Sequence, residues 1–532
     1  TNQQIAGLTT AQVEALTTNQ VSRLTSSQLA SLTTAQIQAL ETVDVAAISA
    51  TVVAGFTTAQ IAALSTDQVK AFTTGQIARL DAADVGAFNT AQLIALGSDQ
   101  IGALTAAQFA GLGSTQVQAI EASDFAALGS QVIGALKTSQ ITALTTEQVD
   151  ALTASQIGAL TVAQLAALST EQLQALDVSS ISAVNISGLT TAQVASLSIA
   201  QIQSLSAAQV GRLDTSDVKA LTTAQIVALD SAQLAGLTGA QLGALSIEQV
   251  AAIEATDLSG ISASVIGSMT VAQLRVLSTE QVAALSSAQF ARLTLSQLGA
   301  LGTAAVQAIE SSDFAAINVA AIPGLTTAQV AVLTADQVAA MTTAQIRAME
   351  VADVAALGTA RIAALDAGQL GALTSAQLAG MTTAQIQAID DGNIPLLSSS
   401  AIAGLTPAQI RALSDDQLIA LTTAQAAVLK AAQLTALTTD QIAALATEDL
   451  AAISAAVISG LTSTQVAALT DAQVQALTTA QIARLDVADL QGLSTADMAL
   501  LSAAQIGALT VAQIASLSTA QVNSIEAGDL AG

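Results

Sequence analysis

An eight-residue unit repeats along nearly the whole chain of 532 residues. Residues 32–39 have the sequence LTTAQIQA, and Leu40 begins the next unit. With the first residue numbered as position 0, positions 1 and 2 are Thr or Ser and position 4 is usually Gln. Position 5 is Ile, Val or Leu, and position 7 is usually Ala. We call each unit an octad. A fixed short period indicates a stack of similar structural units, each packed against its neighbours.

Neither one continuous helix nor a strand fits this period. Eight residues turn an α-helix by about 800°, which leaves a rotation of about 80° per octad. The apolar residues would then spiral around the helix, and no single face could be buried. In a strand, positions 0 and 5 would point to opposite faces, and the high Ala content disfavours strands.

A helix-start signal in every octad does fit. Thr at position 1 and Gln at position 4 form a capping box, and the apolar residues at positions 0 and 5 form the hydrophobic staple that accompanies it. Pro407 falls on the first residue of such a helix, where Pro is favoured. The sequence therefore predicts a succession of very short helices, one per octad, joined almost directly at the Thr.

Helices this short need packing, because isolated helices below about 12 residues rarely persist in water. Burial of the two large aliphatic side chains of each octad would contribute about 1.5–3 kcal/mol each. We therefore predict an all-α solenoid or superhelix, in which small residues at positions 6 and 7 let the turns approach closely. The alternative is a β-solenoid with a Gln ladder. For Gln at position 4, we prefer helix capping to amide ladders between stacked turns. Handedness and the number of octads per turn stay open.

A longer repeat is superimposed on the octads. Some units carry acidic residues in place of the Thr and Gln of positions 1 and 4, and we call them acidic octads. Their first acidic positions are mostly 40, 40 and 56 residues apart, which makes a unit of 136 residues. The sequence predicts four copies in one continuous solenoid rather than independent domains, at 1–136, 137–269, 270–405 and 406–532. The second copy is three residues short, near residues 181–186.

Several octads that follow an acidic octad lack Gln, as at residues 49–53, 262–266 and 454–458. Two others carry Pro323 and Pro395 at position 6, where a helix interior would not accept proline. We predict that these octads are corners in the solenoid.

The acidic octads are the candidate sites of the chain. Asp and Glu at fixed places on a solenoid could supply hard oxygen ligands for a weak Ca²⁺ ladder. The simpler interpretation is that acids at a helix start complement the helix dipole and the free N–H groups. No EF-hand or glycine-aspartate nonapeptide is present in the sequence. The candidate calcium ligands are Glu41, Asp44, Asp81, Asp84, Glu121, Asp124, Asp214, Asp217, Glu254, Asp257, Glu310, Asp313, Glu350, Asp353, Asp486, Asp489, Glu526 and Asp529.

Composition disfavours several functional classes. The chain has no Cys, His, Trp or Tyr, so thiolate nucleophiles, imidazole bases and the usual zinc or copper sites are excluded. A catalytic pair of carboxylates needs one distinctive pocket, and repetition of the acidic octads disfavours it. We therefore expect no enzyme, no small-molecule substrate and no cofactor other than Ca²⁺. With 39 Asp and Glu against 13 Lys and Arg, we expect no binding to nucleic acid. Polar residues in every octad exclude membrane-spanning helices.

The LTTAQ-type octads resemble the low-complexity repeats of very large bacterial secreted or cell-surface proteins, which are often adhesin-like. The segment 405–410, LTPAQI, is also similar to the first helix of TAL-effector repeats, but their 34-residue period and basic inner surface are missing here. The resemblance implies an extracellular or cell-surface location. We expect a structural protein that self-associates head-to-tail or laterally into a filament, sheath, matrix or surface layer. The alternative is an adhesin stalk, stabilised by Ca²⁺, that holds a terminal binding domain away from the cell.

Overall fold

The chain folds as a run of very short helices at the octad period. The computed structural model describes residues 1–529, and within them it has 61 α-helices, five 3-10 helices and no strand. This confirms the all-α repetitive fold, and the β-solenoid alternative is not supported. The helices up to residue 136 are Asn2–Ala6, Thr10–Glu14, Thr18–Val21, Ser26–Ala30, Thr34–Gln38, Thr42–Ala47, Val53–Gly55 (3-10), Thr58–Ala63, Thr66–Lys70, Thr74–Ile77, Ala82–Gly86, Thr90–Ala95, Ser98–Gly102, Ala106–Phe109, Ser114–Ala119, Ala122–Phe125 and Ser130–Gly134. The same rhythm continues to Thr519–Ser524.

The helix starts are the predicted capping boxes. Thr33 precedes the helix Thr34–Gln38 in an extended conformation, with φ −74° and ψ 160°. Its Oγ1 accepts a hydrogen bond from the Gln36 N–H at 3.3 Å, and Gln36 Oε1 accepts one from the Thr33 N–H at 2.6 Å. Pro407 is the first residue of the helix Pro407–Ala412, as predicted. Each box satisfies two N–H groups that a helix start leaves without an intrahelical partner.

The apolar core is built from positions 0 and 5. Ile37 is 0% and Leu40 is 3% exposed, and equivalent residues are buried along most of the chain. These two side chains flank the capping box of their octads, so the staple that fixes each helix start also supplies the core. The stability of the short helices therefore comes from burial and not from helix propensity.

Within residues 1–268 and within residues 269–529, most helices pack against the third helix that follows them. The helix Asn2–Ala6 contacts Ser26–Ala30, and Ala82–Gly86 contacts Ala106–Phe109. Small residues make the approach close, because a Cβ on Gly236 would collide with the main chain of Ala207, and one on Gly211 with the carbonyl of Gly236. The partners are 25 to 29 residues apart. One turn therefore takes between three and four octads, a value that the sequence left open.

The predicted corners are of two kinds. Pro323 and Pro395 lie inside the 3-10 helices Val319–Gly324 and Asp391–Leu396, where the tighter winding replaces an α-helix. The octad after the first acidic octad also has a 3-10 helix, Val53–Gly55. By contrast, Ala263–Ile266 and Ala455–Ile458 are ordinary four-residue α-helices without a side-chain cap. The absence of Gln therefore removes the capping box from these octads but changes the helix type in only some, and the two 3-10 helices that contain proline are capped instead by Asn318 and Asp390.

The three-residue deletion is absorbed by two 3-10 helices, Val178–Ser180 and Ile186–Gly188. After them the octads resume with the helix Thr191–Ser196, whose start is again a capping box. The core is kept across the deletion, because Ile181 and Ile186 are 3% and 0% exposed.

The chain divides into two compact units, Thr1–Ser268 and Met269–Gly532. The four sequence copies stay a prediction, and residues 530–532 of the fourth lie outside the described residues. Among residues 1–529, no helix combines the length and the apolar character that crossing a bilayer requires.

Candidate functional site

Gln at position 4 has a second role besides capping. Gln76 is 1% exposed, and its Oε1 accepts a hydrogen bond from the Thr73 N–H at 2.7 Å. Its Nε2 donates to the carbonyls of Val45 at 2.8 Å and Ile48 at 2.7 Å, which end a helix of the preceding turn. One side chain therefore caps its own helix start and binds the helix end 28 and 31 residues earlier. We call this arrangement a glutamine clamp.

The glutamine clamp recurs with little variation in both units. Its two acceptors are the carbonyls of positions 5 and 0 at a helix end: the position-5 carbonyl also accepts the N–H of the following position 0, as Val45 does from Ile48, whereas the position-0 carbonyl has no main-chain partner in the described part of the chain. Clamps to both carbonyls are made by Gln60, Gln68, Gln92, Gln108, Gln140, Gln148, Gln329, Gln345, Gln377, Gln409, Gln473 and Gln513, among others. Each clamp thus caps the start of one helix, binds carbonyls at the end of another, and joins two turns.

The sequence predicted the capping role of this Gln but not its main-chain partners in the preceding turn. The preferred capping interpretation is confirmed, and the other interpretation was right that the amide joins stacked turns, although it meets main-chain carbonyls and not another amide. The capping partner lies three residues away and follows from a local pattern. The carbonyl partners lie in the preceding turn, and their positions depend on a turn length that the octad does not reveal. Arg361 stands at position 4 in place of Gln, and its Nε donates to the Leu333 carbonyl in the same way.

In the acidic octads, the residue at position 1 decides whether the helix is capped by a side chain. Asp81 Oδ1 accepts a hydrogen bond from the Asp84 N–H at 2.8 Å, and Asp214 and Asp486 act alike. Glu41 makes no side-chain cap hydrogen bond. The same holds for Glu121, Glu254, Glu310 and Glu350. The capping interpretation therefore holds for Asp at position 1 and not for Glu.

The Asp at position 4 of the acidic octads is buried, whereas the acid at position 1 is exposed. Asp44, Asp84, Asp353 and Asp489 are 1–4% exposed, and the Oδ2 atom of each is buried without a hydrogen-bond partner. Asp257 and Asp529 are half-buried. An unpaired buried acceptor is unfavourable, more so when it is charged. The structure therefore sets these carboxyls apart from the rest of the acidic surface.

Burial changes the acidity of these carboxyls. Burial first, and then the neighbouring carboxylate of Asp81, raise the pKa of Asp84 from 3.8 to about 6. The pKa of Asp353 rises to about 6 through burial and Glu350. Burial is also the first cause of pKa values near 6 for Asp217 and Asp449, and of the raised pKa of Asp489. Exposed acids at position 3 behave oppositely, since hydrogen bonding to backbone N–H groups lowers the pKa of Glu147 and Glu280.

Two acidic octads satisfy their buried Asp from the preceding turn. Ser98 Oγ donates to Asp124 Oδ1 at 2.6 Å, and Ser287 Oγ donates to Asp313 Oδ1. Each serine lies 26 residues before its Asp, on the helix that packs against it. A serine hydroxyl from the neighbouring turn therefore gives the buried carboxylate one hydrogen bond that links the two turns.

The calcium ladder stays a prediction. The structure keeps the two acids of each acidic octad adjacent, but among residues 1–529 it nowhere brings three acidic side chains together as metal ligands. Each octad would thus offer one exposed and one mostly buried carboxyl, a set poorer than the six to eight oxygens that Ca²⁺ takes. Any binding by such a set belongs in the millimolar range.

The calcium hypothesis predicts that millimolar Ca²⁺ raises the melting temperature, because a ligand of the folded state stabilises it. The substitutions Asp44→Asn, Asp84→Asn and Asp124→Asn would then abolish the rise. Calorimetry and thermal unfolding with and without Ca²⁺ check both statements. No heat and no thermal shift would leave helix-start electrostatics as the role of the exposed acids.

Comparison with protein families identifies the family of the repeat. The model of the ALTTAQ repeat matches residues 37–74, 77–114, 117–154, 210–247, 250–287, 272–303, 306–343, 346–383, 362–407, 442–479 and 482–519. The chain belongs to the ALTTAQ repeat family. This confirms the LTTAQ-type nature of the repeats. No match was found among curated proteins.

The ALTTAQ matches are in phase with the longer repeat and not only with the octad. Eight of them begin four residues before an acidic octad, as residue 37 precedes Glu41 and residue 77 precedes Asp81, and a ninth begins four residues before Ala446, whose octad carries Asp449 at position 4. These matches therefore include an acidic octad at a fixed place near their start.

Proposed function

We propose that this ALTTAQ repeat chain is a structural protein of the bacterial cell surface or extracellular space. In this proposal it contributes to a filament, sheath, matrix or surface layer by stacking on further turns of its own kind. The observation that carries the proposal is the glutamine clamp, because one contact, repeated turn after turn, joins each turn to the one before it. A contact that is self-complementary between successive turns is also complementary between copies.

The first turn presents the donor side of this contact. Gln12, Gln20 and Gln28 form capping boxes through Oε1, but within the described residues their Nε2 atoms donate to no carbonyl. In later octads the equivalent Nε2 donates to two carbonyls, as in Gln60. These three amides therefore have free donors for another turn.

The last described turns present the acceptor side. No Gln of the described residues donates to the carbonyls of Leu509 and Leu517. Ile514 and Val522 at position 5 are 52% and 42% exposed, whereas Ile482, at position 5 four octads before Ile514, is 0% exposed. The two faces are complementary in hydrogen bonding, with amide donors on one and carbonyl acceptors on the other. Either further repeats or a second copy of the chain would cover them.

The test is the assembly state of the 532-residue chain. We expect light scattering to show concentration-dependent association and negative-stain microscopy to show end-to-end fibres. The triple substitution Gln12→Glu, Gln20→Glu and Gln28→Glu removes the three free donors and places charge on that face, so it should reduce the association at least tenfold.

The matched control is Gln203→Glu, Gln307→Glu and Gln475→Glu, which adds the same charge at exposed position-6 side chains and should leave association unchanged. A monodisperse wild-type monomer with no fibres and no binding of hydrophobic dyes would reject the assembly proposal. Equal loss of association in both triple variants would show that net charge, and not the clamp, controls it.

An adhesin stalk is the second candidate. It is supported by the local character of the contacts, since clamp partners are 28 and 31 residues apart and each added turn can extend the chain without altering the others. A distinct non-repeat domain in the complete protein would favour the stalk. Uninterrupted repeats would favour the filament.

A further inference from the structure

The acidic octads interrupt the glutamine clamp at regular places. Asp84 occupies position 4, between the clamps of Gln76 and Gln92 in the octads on either side. The register of those clamps sets the carboxyl of Asp84 opposite the carbonyls of Val53 and Phe56. The Val53 carbonyl accepts the Phe56 N–H at 3.1 Å, whereas the Phe56 carbonyl receives no hydrogen bond within the described residues. An ionised carboxylate can only accept hydrogen bonds, and the main-chain carbonyls opposite it can also only accept them, so no hydrogen bond can form between them.

The same situation recurs in the second unit. The register places Asp353 opposite the carbonyls of Ile322 and Leu325, and no described hydrogen bond reaches the Leu325 carbonyl. Asp489 stands in the same relation to Leu461. In all three octads the Oδ2 atom is buried and unpaired. The shared defect is therefore a missing donor between two turns.

The buried Oδ2 atoms restrict what can repair this defect. A bound cation needs several oxygens at 2.3–2.6 Å around it, and a water needs a cavity of its own. The Oδ2 atoms have almost no solvent-accessible surface, so there is no space beside them for either. A proton needs no space, and it converts the carboxyl from an acceptor into a donor.

We propose that Asp84, Asp353 and Asp489 each bind a proton, and that the neutral carboxyl donates a hydrogen bond to the main-chain carbonyl of the preceding turn. The carboxylic acid then takes the place of the glutamine amide as the link between turns. At each of these three sites the Oδ2 atom is the unpaired one.

Within the described residues, the helices packed against those of Asp84 and Asp353 carry no cation that could compensate a carboxylate charge. Two helices pack against the helix of Asp84, Thr58–Ala63 and Ala106–Phe109, and neither carries a titratable residue. The helices against that of Asp353, Thr327–Ala331 and Ser375–Gly380, carry none either. The nearest charges are the acids at position 1, Asp81 and Glu350, and both oppose ionisation.

The direction of the pH dependence follows from the pKa. A pKa of about 6 in the folded chain against 3.8 for the free side chain means that folding favours the protonated form, by about 100-fold in proton affinity. The contribution to stability is complete below pH 3.8 and is lost as the pH rises through 6. The contact between an acidic octad and the preceding turn is therefore more stable in mildly acidic surroundings than at neutral pH. The glutamine clamps do not titrate and stay unchanged.

The test follows the carboxyls and their turns in the full chain between pH 4 and 8. Infrared spectroscopy with ¹³C-labelled Asp should show protonated, buried carboxyls that titrate near pH 6. Hydrogen exchange, corrected for the intrinsic pH effect, should show less protection at pH 7.5 than at pH 5 around residues 53–56 and 82–86. Asp84→Asn carries a permanent donor, so it should remove that difference at these residues.

The matched control is Asp99→Asn, which removes the same charge from an exposed position 3 and should leave the pH difference intact. Titration of all carboxyls near pH 4, or an equal effect of both variants, would overturn the proposal. Protection restored at pH 7.5 by millimolar Ca²⁺ or Na⁺ would overturn it in favour of a cation. These readouts concern a single chain, so they do not depend on whether copies assemble.

Discussion

Gln345→Leu is expected to destabilise its turn by about 3–5 kcal/mol. Gln345 is 0% exposed; its Oε1 accepts from the Thr342 N–H at 2.8 Å, and its Nε2 donates to the carbonyls of Ile317 at 2.8 Å and Phe314 at 3.2 Å. Leucine has similar bulk but no polar atoms, so buried donor and acceptor groups lose their partners. Each such loss costs about 1–3 kcal/mol. Denaturant unfolding with hydrogen exchange measures the effect.

Two further variants isolate the cause. Gln345→Glu keeps the capping acceptor but faces the carbonyls with a carboxylate, so its effect should be large at pH 7.5 and smaller at pH 5. Gln387→Leu makes the same substitution at an exposed position 6 and should change stability by less than about 0.5 kcal/mol. Equal stabilities for Gln345→Leu and Gln387→Leu would show that the clamp contributes nothing.

Ile37→Asp and Leu40→Asp should have the second large effect. Both residues belong to the apolar core, with 0% and 3% exposure, so a carboxylate in either place would be buried. An unpaired buried charge costs several kcal/mol, about 3–5 after relaxation. Because each turn contacts only its neighbours, the damage should stay local. Exchange should accelerate near residues 8–70 and stay unchanged in residues 300–529.

Ala35→Asp is the matched control for these core substitutions. It introduces the same side chain into the same octad, at an exposed position in the first turn of the helix Thr34–Gln38. An acid there is favourable to the helix dipole, so stability should stay equal or rise slightly. Acceleration spread evenly over both units after Ile37→Asp would contradict a stack held together by neighbour contacts.

The parts of the fold that could be predicted from the sequence are those set by near neighbours. Thr33 and Gln36 are three residues apart, so their capping box follows from the pattern alone. The length of a turn is different, because it depends on how Gly211 and Gly236 let main chains approach. Corner octads were predicted as a group, but only the actual packing decides whether an octad without Gln becomes a 3-10 helix or stays α-helical.

For the acidic octads, too, the local features could be predicted from the sequence and those that depend on packing could not. The acids at position 1 were correctly placed at helix starts, and the distinction between Asp81, which caps, and Glu41, which does not, agrees with the weak preference for Glu at that position. Burial of Asp84 and its unpaired oxygen had no sequence signal, because position 4 holds a polar residue in either kind of octad. At this position Asp lacks the amide donor that Gln uses to bind the preceding turn.

The shortened octad shows how much irregularity the stack can accept. Gln193 and Gln201 reach across it to carbonyls 28 and 25 residues earlier, where other clamps span 31 and 28 residues. Asn185 likewise donates to the Leu160 carbonyl, 25 residues earlier. Three residues can thus be lost from a turn while the clamps of Gln193 and Gln201 are kept. Unequal recombination between repeated gene segments would then yield longer or shorter chains that still fold, even when the joints are not in perfect register.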